Sequence, residues 1–212
     1  MKAIIFDFDG TLADSFKLAV EITQNLAHRT LPISDAEISR LRQMRLLDVA
    51  NELGLPRWHW PLLMIRGRRL MSRRLNEVQP FAGINDVLTA LSGDHYKLFI
   101  MSSNSKRNVE VFLATHGLSA YFTQIYGGIG LFGKSRALRA ILRRNHFSPT
   151  DVIYVGDESR DIEACKRVGV PCVAVAWGYN APEVLAEHAP MVVVRTTDQL
   201  RKVLEEWGST LA

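Results

Sequence analysis

The chain has 212 residues, of which 47% are hydrophobic, and its formal net charge at neutral pH is +4. This length and composition allow one large domain, or a domain with an insertion, around a sizeable hydrophobic core. No apolar run reaches the roughly 18 residues that a membrane span needs, and a strand-like run begins too early for a signal peptide, so we expect a cytoplasmic protein that does not enter a membrane.

The first predicted element is a β-strand, AIIFDF at residues 3–8, which runs into the sequence DFDGTLADS. Strand side chains alternate with period two, so Asp7 and Asp9 should point the same way at the carboxyl end of the strand, where open α/β sheets bind ligands. Two adjacent carboxylates repel each other and favour a bound cation or a shared proton. Oxygen-only ligands favour Mg²⁺, whereas a solvated Asp-Gly turn is the alternative interpretation.

Residues 15–78 show helical periodicity and no convincing strand. Ser34 is a plausible N-cap with Glu37 at the third helical position, and LPRWHWP at 55–61 predicts a break between helices. The segment 15–80 holds 11 Lys or Arg and six Asp or Glu, a net charge of +5, so the rest of the chain carries −1. The positive net charge of the chain could by itself indicate binding of nucleic acid, anionic lipid or small anionic substrates.

After Pro80, short apolar strands alternate with helices. The predicted strands lie at 97–102, 124–128, 151–156, 170–177 and 191–194, with helices at about 105–116 and 134–145, to residue 168, near 182–188 and to about residue 207. This pattern indicates an α/β fold with a Rossmann-like parallel sheet of five or six strands, covered by helices on both faces. We therefore predict a Rossmann-like core of residues 1–14 and 80–212, with an inserted α-helical cap at 15–79.

Polar residues follow several of these strands. In SSNS at 102–105, Ser102 and the backbone N–H groups of Ser103 and Asn104 could hold an anion at a helix start, although ordinary helix capping explains the same residues. Lys134 opens a predicted helix, where the macrodipole disfavours a cation, so an anion should compensate it. The alternative is a surface lysine beside the glycine-rich loop.

The last of these stretches is GDESRD at 156–161. Asp157 lies just past a strand and Asp161 is four residues further on, a spacing that places both on one helical face. One carboxylate could bind the cation while the other orients its ligands or Lys134. Acids favoured by the dipole at a helix start are the alternative.

Together, Asp7-x-Asp9-Gly-Thr, Ser102, Lys134 and Gly156-Asp157-(x)3-Asp161 resemble the motifs of the haloacid dehalogenase-like hydrolase superfamily. The resemblance covers essentially the whole chain. The predicted insertion corresponds to the small helical cap of that superfamily, and VAVAWGYNAPEVL is similar to the phosphoglycolate phosphatase branch.

The resemblance implies an aspartyl-phosphate mechanism. Asp7 would be the nucleophile, Asp9 the general acid and base, and Lys134 a further catalytic residue. Mg²⁺ would be held by Asp7, the backbone carbonyl of Asp9, and Asp157, with Asp161 outside the ligand shell. The groups implied for phosphate binding are Gly10, Ser102, Ser103, Asn104 and Lys134.

The resemblance also disfavours two subclasses of the superfamily. Members that displace halide lack a carboxylate at the position of Asp9, and the branch that cleaves phosphonates uses a cap lysine, whereas the only lysine of this cap is Lys17. We therefore expect a phosphatase acting on a small phosphorylated substrate; a phosphomutase remains open. FGKSRAL lacks the proline that often follows the family lysine.

The arginine-rich run at 66–74 is the candidate for binding a second anionic group of the substrate. On a helix its arginines would spread round the surface, so the alternative is that most are solvated or face another partner. A non-catalytic protein that binds nucleic acid or an acidic partner through this basic cap is the alternative from another functional class. Intact motifs favour the enzyme, and we do not expect nucleic acid as its partner.

Overall fold

The structure, a computed structural model, describes residues 2–26, 34–44, 48–49, 60–92, 96–130 and 133–209. Its strands are β1 (Lys2–Phe6), β2 (Tyr96–Met101), β3 (Phe122–Tyr126), β4 (Val152–Gly156), β5 (Cys172–Val175) and β6 (Val192–Val194). Its helices are α1 (Phe16–Leu26), α2 (Asp35–Arg42), α3 (Trp60–Arg73), α4 (Ile84–Ser92), α5 (Lys106–Thr115), α6 (Lys134–Asn145), α7 (Ser159–Lys166), α8 (Pro182–Glu187) and α9 (Thr197–Ser209).

The strands form one parallel sheet in the order β3-β2-β1-β4-β5-β6. At the centre, β1 pairs with β2 and with β4, so that Phe6 lies beside Ile100 on one side and Val155 on the other. Because the strands are parallel, the residues that follow them leave from the same edge of the sheet. The predicted α/β fold with a parallel sheet is confirmed.

Both faces of the sheet are buried, which explains why its strands are almost wholly apolar. On one face, Ile4 and Phe6 belong to a core that includes residues of α4, α5 and α9. On the other, Ala3 and Ile5 belong to a core that includes residues of α6, α7 and α8. Both cysteines are buried free thiols of this second core.

The described part of segment 15–79 consists of α1, α2, α3 and a short 3-10 turn, with no strand among those residues. Ser34 is the N-cap of α2, and its hydroxyl oxygen accepts a hydrogen bond from the Glu37 N–H at 3.2 Å, as predicted. The predicted break at 55–61 lies mostly outside the described residues, and α3 begins at Trp60.

The two ends of this segment lie side by side after β1. The Asp14 N–H donates to the Gln79 carbonyl at 2.8 Å, and the Phe81 N–H donates to the Leu12 carbonyl at 3.0 Å. Such a pairing is what an insertion into the core requires. The division into core and cap itself stays a prediction. Within the described residues, no helix combines the length and apolar character needed to cross a membrane.

Candidate active site

Residues that follow β1 and β4 meet at the first residue of α6. The Lys134 ammonium group contacts one carboxylate oxygen of Asp7 and one of Asp161. All three side chains are buried, with Lys134 2% exposed and Asp161 fully covered. The cation that the sequence places at a helix start is therefore compensated by two aspartates.

Burial and charge pull the pKa values of this cluster in opposite directions. Burial raises the pKa of Asp7 to about 7, against the lowering effect of the Lys134 charge. Burial by itself lowers the pKa of Lys134, but the carboxylates of Asp161 and Asp7 raise it above its usual value. Lys134 therefore stays protonated, while Asp7 keeps its negative charge only with help from neighbouring cations.

Asp9 is held through both of its carboxylate oxygens. Its Oδ1 accepts a hydrogen bond from the Ser15 hydroxyl at 2.9 Å, and its Oδ2 accepts one from the Asn104 side-chain amide at 3.1 Å. Burial raises the pKa of Asp9 although both hydrogen bonds lower it. A carboxyl group with a raised pKa is suited to general acid catalysis near neutral pH.

The SSNS stretch after β2 differs in one respect from the prediction. The Asn104 N–H, expected to be open to an anion, donates to the Ser102 hydroxyl oxygen at 2.9 Å, a turn that serine readily forms with the residue two positions on. Ser102 is fully buried and Ser103 is half-buried. The side chain of Asn104 is directed to Asp9 instead of to a ligand.

Asp157 is fully buried beside the turn that follows β1. Its Oδ1 accepts a hydrogen bond from the Thr11 hydroxyl at 2.8 Å, and its Oδ2 accepts one from the Tyr179 N–H at 2.7 Å. Burial raises the pKa of Asp157 well above its usual value, as do the charges of Glu158 and Asp7. Gly10 completes this contact, because a Cβ at its position would lie 2.1 Å from the Asp157 Oδ2.

Replacing Gly10 with alanine is expected to damage both stability and activity. Gly10 has φ +78°, and a methyl group there would displace Asp157. We expect a loss of about 1–3 kcal/mol in the free energy of unfolding, from backbone strain and the clash, measured by urea denaturation. Hydrolysis of phosphate esters, the activity expected from the sequence, should fall at least about tenfold. Gly130→Ala is the matched control, because its Cβ would meet no atom within 4 Å; equal effects of both substitutions would contradict this account.

An acidic group in the site includes a residue that the sequence did not single out. One carboxylate oxygen from each of Asp7, Glu158 and Asp161 lies within 4.8 Å of the others. Glu158 also accepts a hydrogen bond from Arg160 at 2.5 Å. Within the described residues, these three carboxylates lie close enough together to share an ion. The side chains of the predicted metal ligands Asp7, Asp9 and Asp157 do not form such a group.

Other contacts of the site were also missed. Ser15 and Tyr179 share a hydrogen bond at 3.1 Å between their hydroxyl groups, which extends the contacts of Asp9. Asn180 accepts a hydrogen bond from the Ser159 N–H at 2.9 Å and donates one to the Met44 carbonyl at 3.0 Å. In the sequence, GYNAP contributes only to the resemblance to the phosphoglycolate phosphatase branch. No local spacing connects it to Asp9 or Asp157.

The arginine-rich run lies on α3 and the turn after it. Arg66, Arg69 and Arg73 are exposed. Arg74 is bound to Glu21 of α1 at 2.8 Å and to Glu77 at 2.6 Å, so it ties the ends of the segment together. No described contact joins these four side chains to the carboxylates of the site.

Comparison with known proteins agrees with this arrangement. The family model described as haloacid dehalogenase-like hydrolase matches residues 4–175. A phosphoglycolate phosphatase of Synechococcus elongatus is 37% identical over 210 residues, which cover 97% of this chain and 98% of that protein. Phosphoglycolate phosphatase 1 of Pseudomonas aeruginosa is 30% identical over 96% of this chain and 78% of its own length.

Solved structures share the fold. The crystal structure of a predicted phosphatase from Clostridium acetobutylicum aligns with a TM-score of 0.82 at 20% identity, covering 97% of this chain and 98% of that one. The family match spans most of the chain, and the first of the two relatives is matched over nearly its full length. The chain therefore belongs to the haloacid dehalogenase-like hydrolases, in the branch that resembles phosphoglycolate phosphatases.

Proposed function

We propose that this phosphatase hydrolyses a small phosphomonoester through an aspartyl-phosphate formed on Asp7, with Mg²⁺ as its cofactor. The observation that carries the proposal is the buried contact of Lys134 with Asp7 and Asp161, which draws together residues from three separate stretches of the chain. The motif resemblance and the named relatives support the same reaction.

The charges of the site fit a divalent cation. Among the described residues, five carboxylates of the site interact with three cations, Lys134, Arg160 and Arg42, which leaves an excess of two negative charges if all are ionised; the carboxylates are those of Asp7, Asp9, Asp157, Glu158 and Asp161. A hard cation with oxygen ligands would relieve this repulsion. We assign its ligands as Asp7, the backbone carbonyl of Asp9, and Asp157, whose Thr11 and Tyr179 hydrogen bonds fix its orientation.

When bound, Mg²⁺ would neutralise charge on the phosphoryl oxygens and allow an anionic substrate to approach the carboxylates. Lys134, which contacts Asp7, would contribute a second positive charge. The Ser102 hydroxyl, the Ser103 N–H and the backbone near Gly10 would donate hydrogen bonds to the phosphoryl group. Such donors stabilise charge that develops in the transition state.

The proposed reaction proceeds in two displacements. In the first, an Asp7 oxygen forms a bond to phosphorus, the bond from phosphorus to the substrate oxygen breaks, and Asp9 gives its proton to the leaving alkoxide. In the second, Asp9 takes a proton from water as that water attacks phosphorus, which releases Asp7 and inorganic phosphate. Proton transfer by one residue in both steps contributes about 10²- to 10⁴-fold to the rate.

A small substrate is the best fit. A cavity of about 40 Å³ lies between α1, α2 and the loop after β5, lined mostly by apolar side chains together with Glu158, Tyr179 and Asn180. This space suits a short leaving group rather than a macromolecule. The relatives are named for phosphoglycolate, so we propose a phosphorylated short acid or sugar, with segment 15–79 acting as the cap that excludes water.

Removing divalent metal is expected to abolish turnover. Purified protein should release inorganic phosphate from one or more members of a panel of phosphorylated acids and sugars, and EDTA should stop the release. Adding excess Mg²⁺ should restore it, since the carboxylates lose their compensating charge without metal. Turnover that persists in EDTA would contradict the metal assignment. Transfer of the phosphoryl group to a second sugar hydroxyl, without release of phosphate, would identify a phosphomutase instead.

A further inference from the structure

Three hydrogen bonds in sequence connect α3 to Asp9. The Ser72 hydroxyl donates to the Asn108 side-chain oxygen at 2.5 Å, and the Asn108 amide donates to the Asn104 side-chain oxygen at 2.9 Å. The Asn104 amide in turn donates to the Asp9 Oδ2 at 3.1 Å. Asn104 is 5% exposed and Asn108 is 3% exposed, so water has little access to the middle of this relay.

A backbone N–H fixes the direction of these bonds. The Ser105 N–H donates to the Asn104 side-chain oxygen at 2.9 Å, so Asn104 presents that oxygen to Asn108 and its NH₂ group to Asp9. Asn108 must then present its own NH₂ group to that oxygen, which leaves its oxygen to accept from Ser72. The relay therefore has one consistent orientation, with donors directed towards Asp9 throughout.

Capping of α5 does not explain the side-chain hydrogen bonds of Asn108. Ser105 is the N-cap of that helix, and its hydroxyl already accepts the Asn108 N–H at 3.1 Å. The side chain of Asn108 is thus not needed to begin the helix. A buried amide is costly unless its hydrogen bonds are made, and the partners of this one are Asn104, Ser72 and, at 3.5 Å, the Arg68 carbonyl.

We propose that Asn108 and Ser72 are positioning residues that hold Asp9, through Asn104, in the orientation from which it protonates the leaving group. This inference rests on the proposed role of Asp9 as general acid. Without the relay, the Asn104 side-chain oxygen would be held by the Ser105 N–H alone, at 2.9 Å, and its amide would orient the Asp9 carboxylate less firmly. The relay also extends the site to a residue of α3, outside the motifs of the core.

The dependence of the rate on the leaving group tests this role. An alkyl phosphate needs a proton on its leaving oxygen, whereas 2,4-dinitrophenyl phosphate releases a stable phenolate that needs none. The ratio kcat/KM reports the first displacement, so it should be measured for the best alkyl phosphate of the panel and for the aryl phosphate. Asp9→Asn is the reference variant: its kcat/KM should fall strongly for the alkyl phosphate and less for the aryl phosphate.

We expect Ser72→Ala to lower kcat/KM for the alkyl phosphate about fivefold, the value of one ordinary hydrogen bond. Asn108→Leu should lower it about 50-fold, part of the full general-acid contribution. Both variants should change kcat/KM for the aryl phosphate less than about twofold, since that step needs no proton. Ser72→Thr keeps a hydroxyl group and should restore most of the loss caused by Ser72→Ala.

Asn145→Ala is the matched control, because Asn145 makes two side-chain hydrogen bonds, to Ile141 and Tyr126, outside the site. Ser72 is exposed, so its variants will fold even if Asn108→Leu does not. Equal losses on both substrates, or none on the alkyl phosphate for Ser72→Ala, would overturn the relay alone. A wild-type protein inactive towards every phosphate ester would overturn the proposed function and the relay with it.

Discussion

Asp7→Asn is expected to lower phosphatase turnover by at least about 10³-fold, because an amide cannot form the covalent bond to phosphorus. The free energy of unfolding should change little, because Lys134 keeps Asp161 as a buried partner. Burial raises the pKa of Asp7 to about 7, so the folded protein bears a cost for holding this carboxylate ionised, and a neutral side chain of the same shape removes it. Turnover of the best panel substrate and the urea midpoint of unfolding measure the two effects separately.

Trapping the covalent species sharpens this test. Wild-type protein quenched during turnover of a ³²P-labelled substrate should carry label that hydroxylamine removes, as expected of an acyl phosphate, and Asp7→Asn should carry none. Asp198→Asn, an exposed acid on α9, should behave like wild type in both respects. Label retained by Asp7→Asn would assign the nucleophile to another residue and end the proposed mechanism.

The fold could be predicted from the sequence because hydrophobic periodicity and composition indicate the same strands and helices along the core. Each strand after Pro80 is a short apolar run between helices, and burial on both faces accounts for that composition. The structure places β2 to β6 within the predicted runs or within two residues of them. The end of α6 at Asn145 was also predicted, where His146 adopts a left-handed conformation.

The contacts of the site were harder to predict from the sequence than the fold, because they depend on side-chain direction. The sequence indicates Lys134 through a charge that a helix start disfavours, and the structure places two aspartates against it. Glu158 adjoins Asp157 in the chain, but nothing in GDESRD indicated that its carboxylate would approach Asp7. Likewise, SSNS indicated an anion site, whereas the Asn104 side chain binds Asp9.

Long-range partners were the least predictable. Tyr179 donates its backbone N–H to Asp157 across 22 residues, and Ser72 reaches Asn108 across 36. Neither pair has a periodicity or a motif that connects it. Such contacts arise from the order of strands in the sheet and from how α3 lies against α5, and both follow from tertiary packing rather than from local propensity.

Lys134→Met is expected to cause the largest loss of stability among single substitutions in the site. Lys134 is the cation between two buried carboxylates, and removing one partner of a buried ion pair costs about 3–5 kcal/mol. Turnover should fall at least about 10²-fold, because the phosphoryl group loses a positive charge in a site shielded from water. Urea denaturation in EDTA and turnover in Mg²⁺ measure these losses, and Lys166→Met, at an exposed position of α7, is the matched control.

A second substitution separates charge imbalance from lost packing. Asp161 is fully buried, and its carboxylate also accepts hydrogen bonds from the Tyr154 hydroxyl and the Glu158 N–H. Asp161→Asn removes one uncompensated charge, so adding it to Lys134→Met should recover about 1–3 kcal/mol of stability, as expected for neighbouring charges that couple. Turnover should not recover, because Lys134 is still missing. If Asp161→Asn changes the stability of Lys134→Met by as much as it changes that of the wild-type protein, the two charges do not couple, and the electrostatic account of the site is wrong.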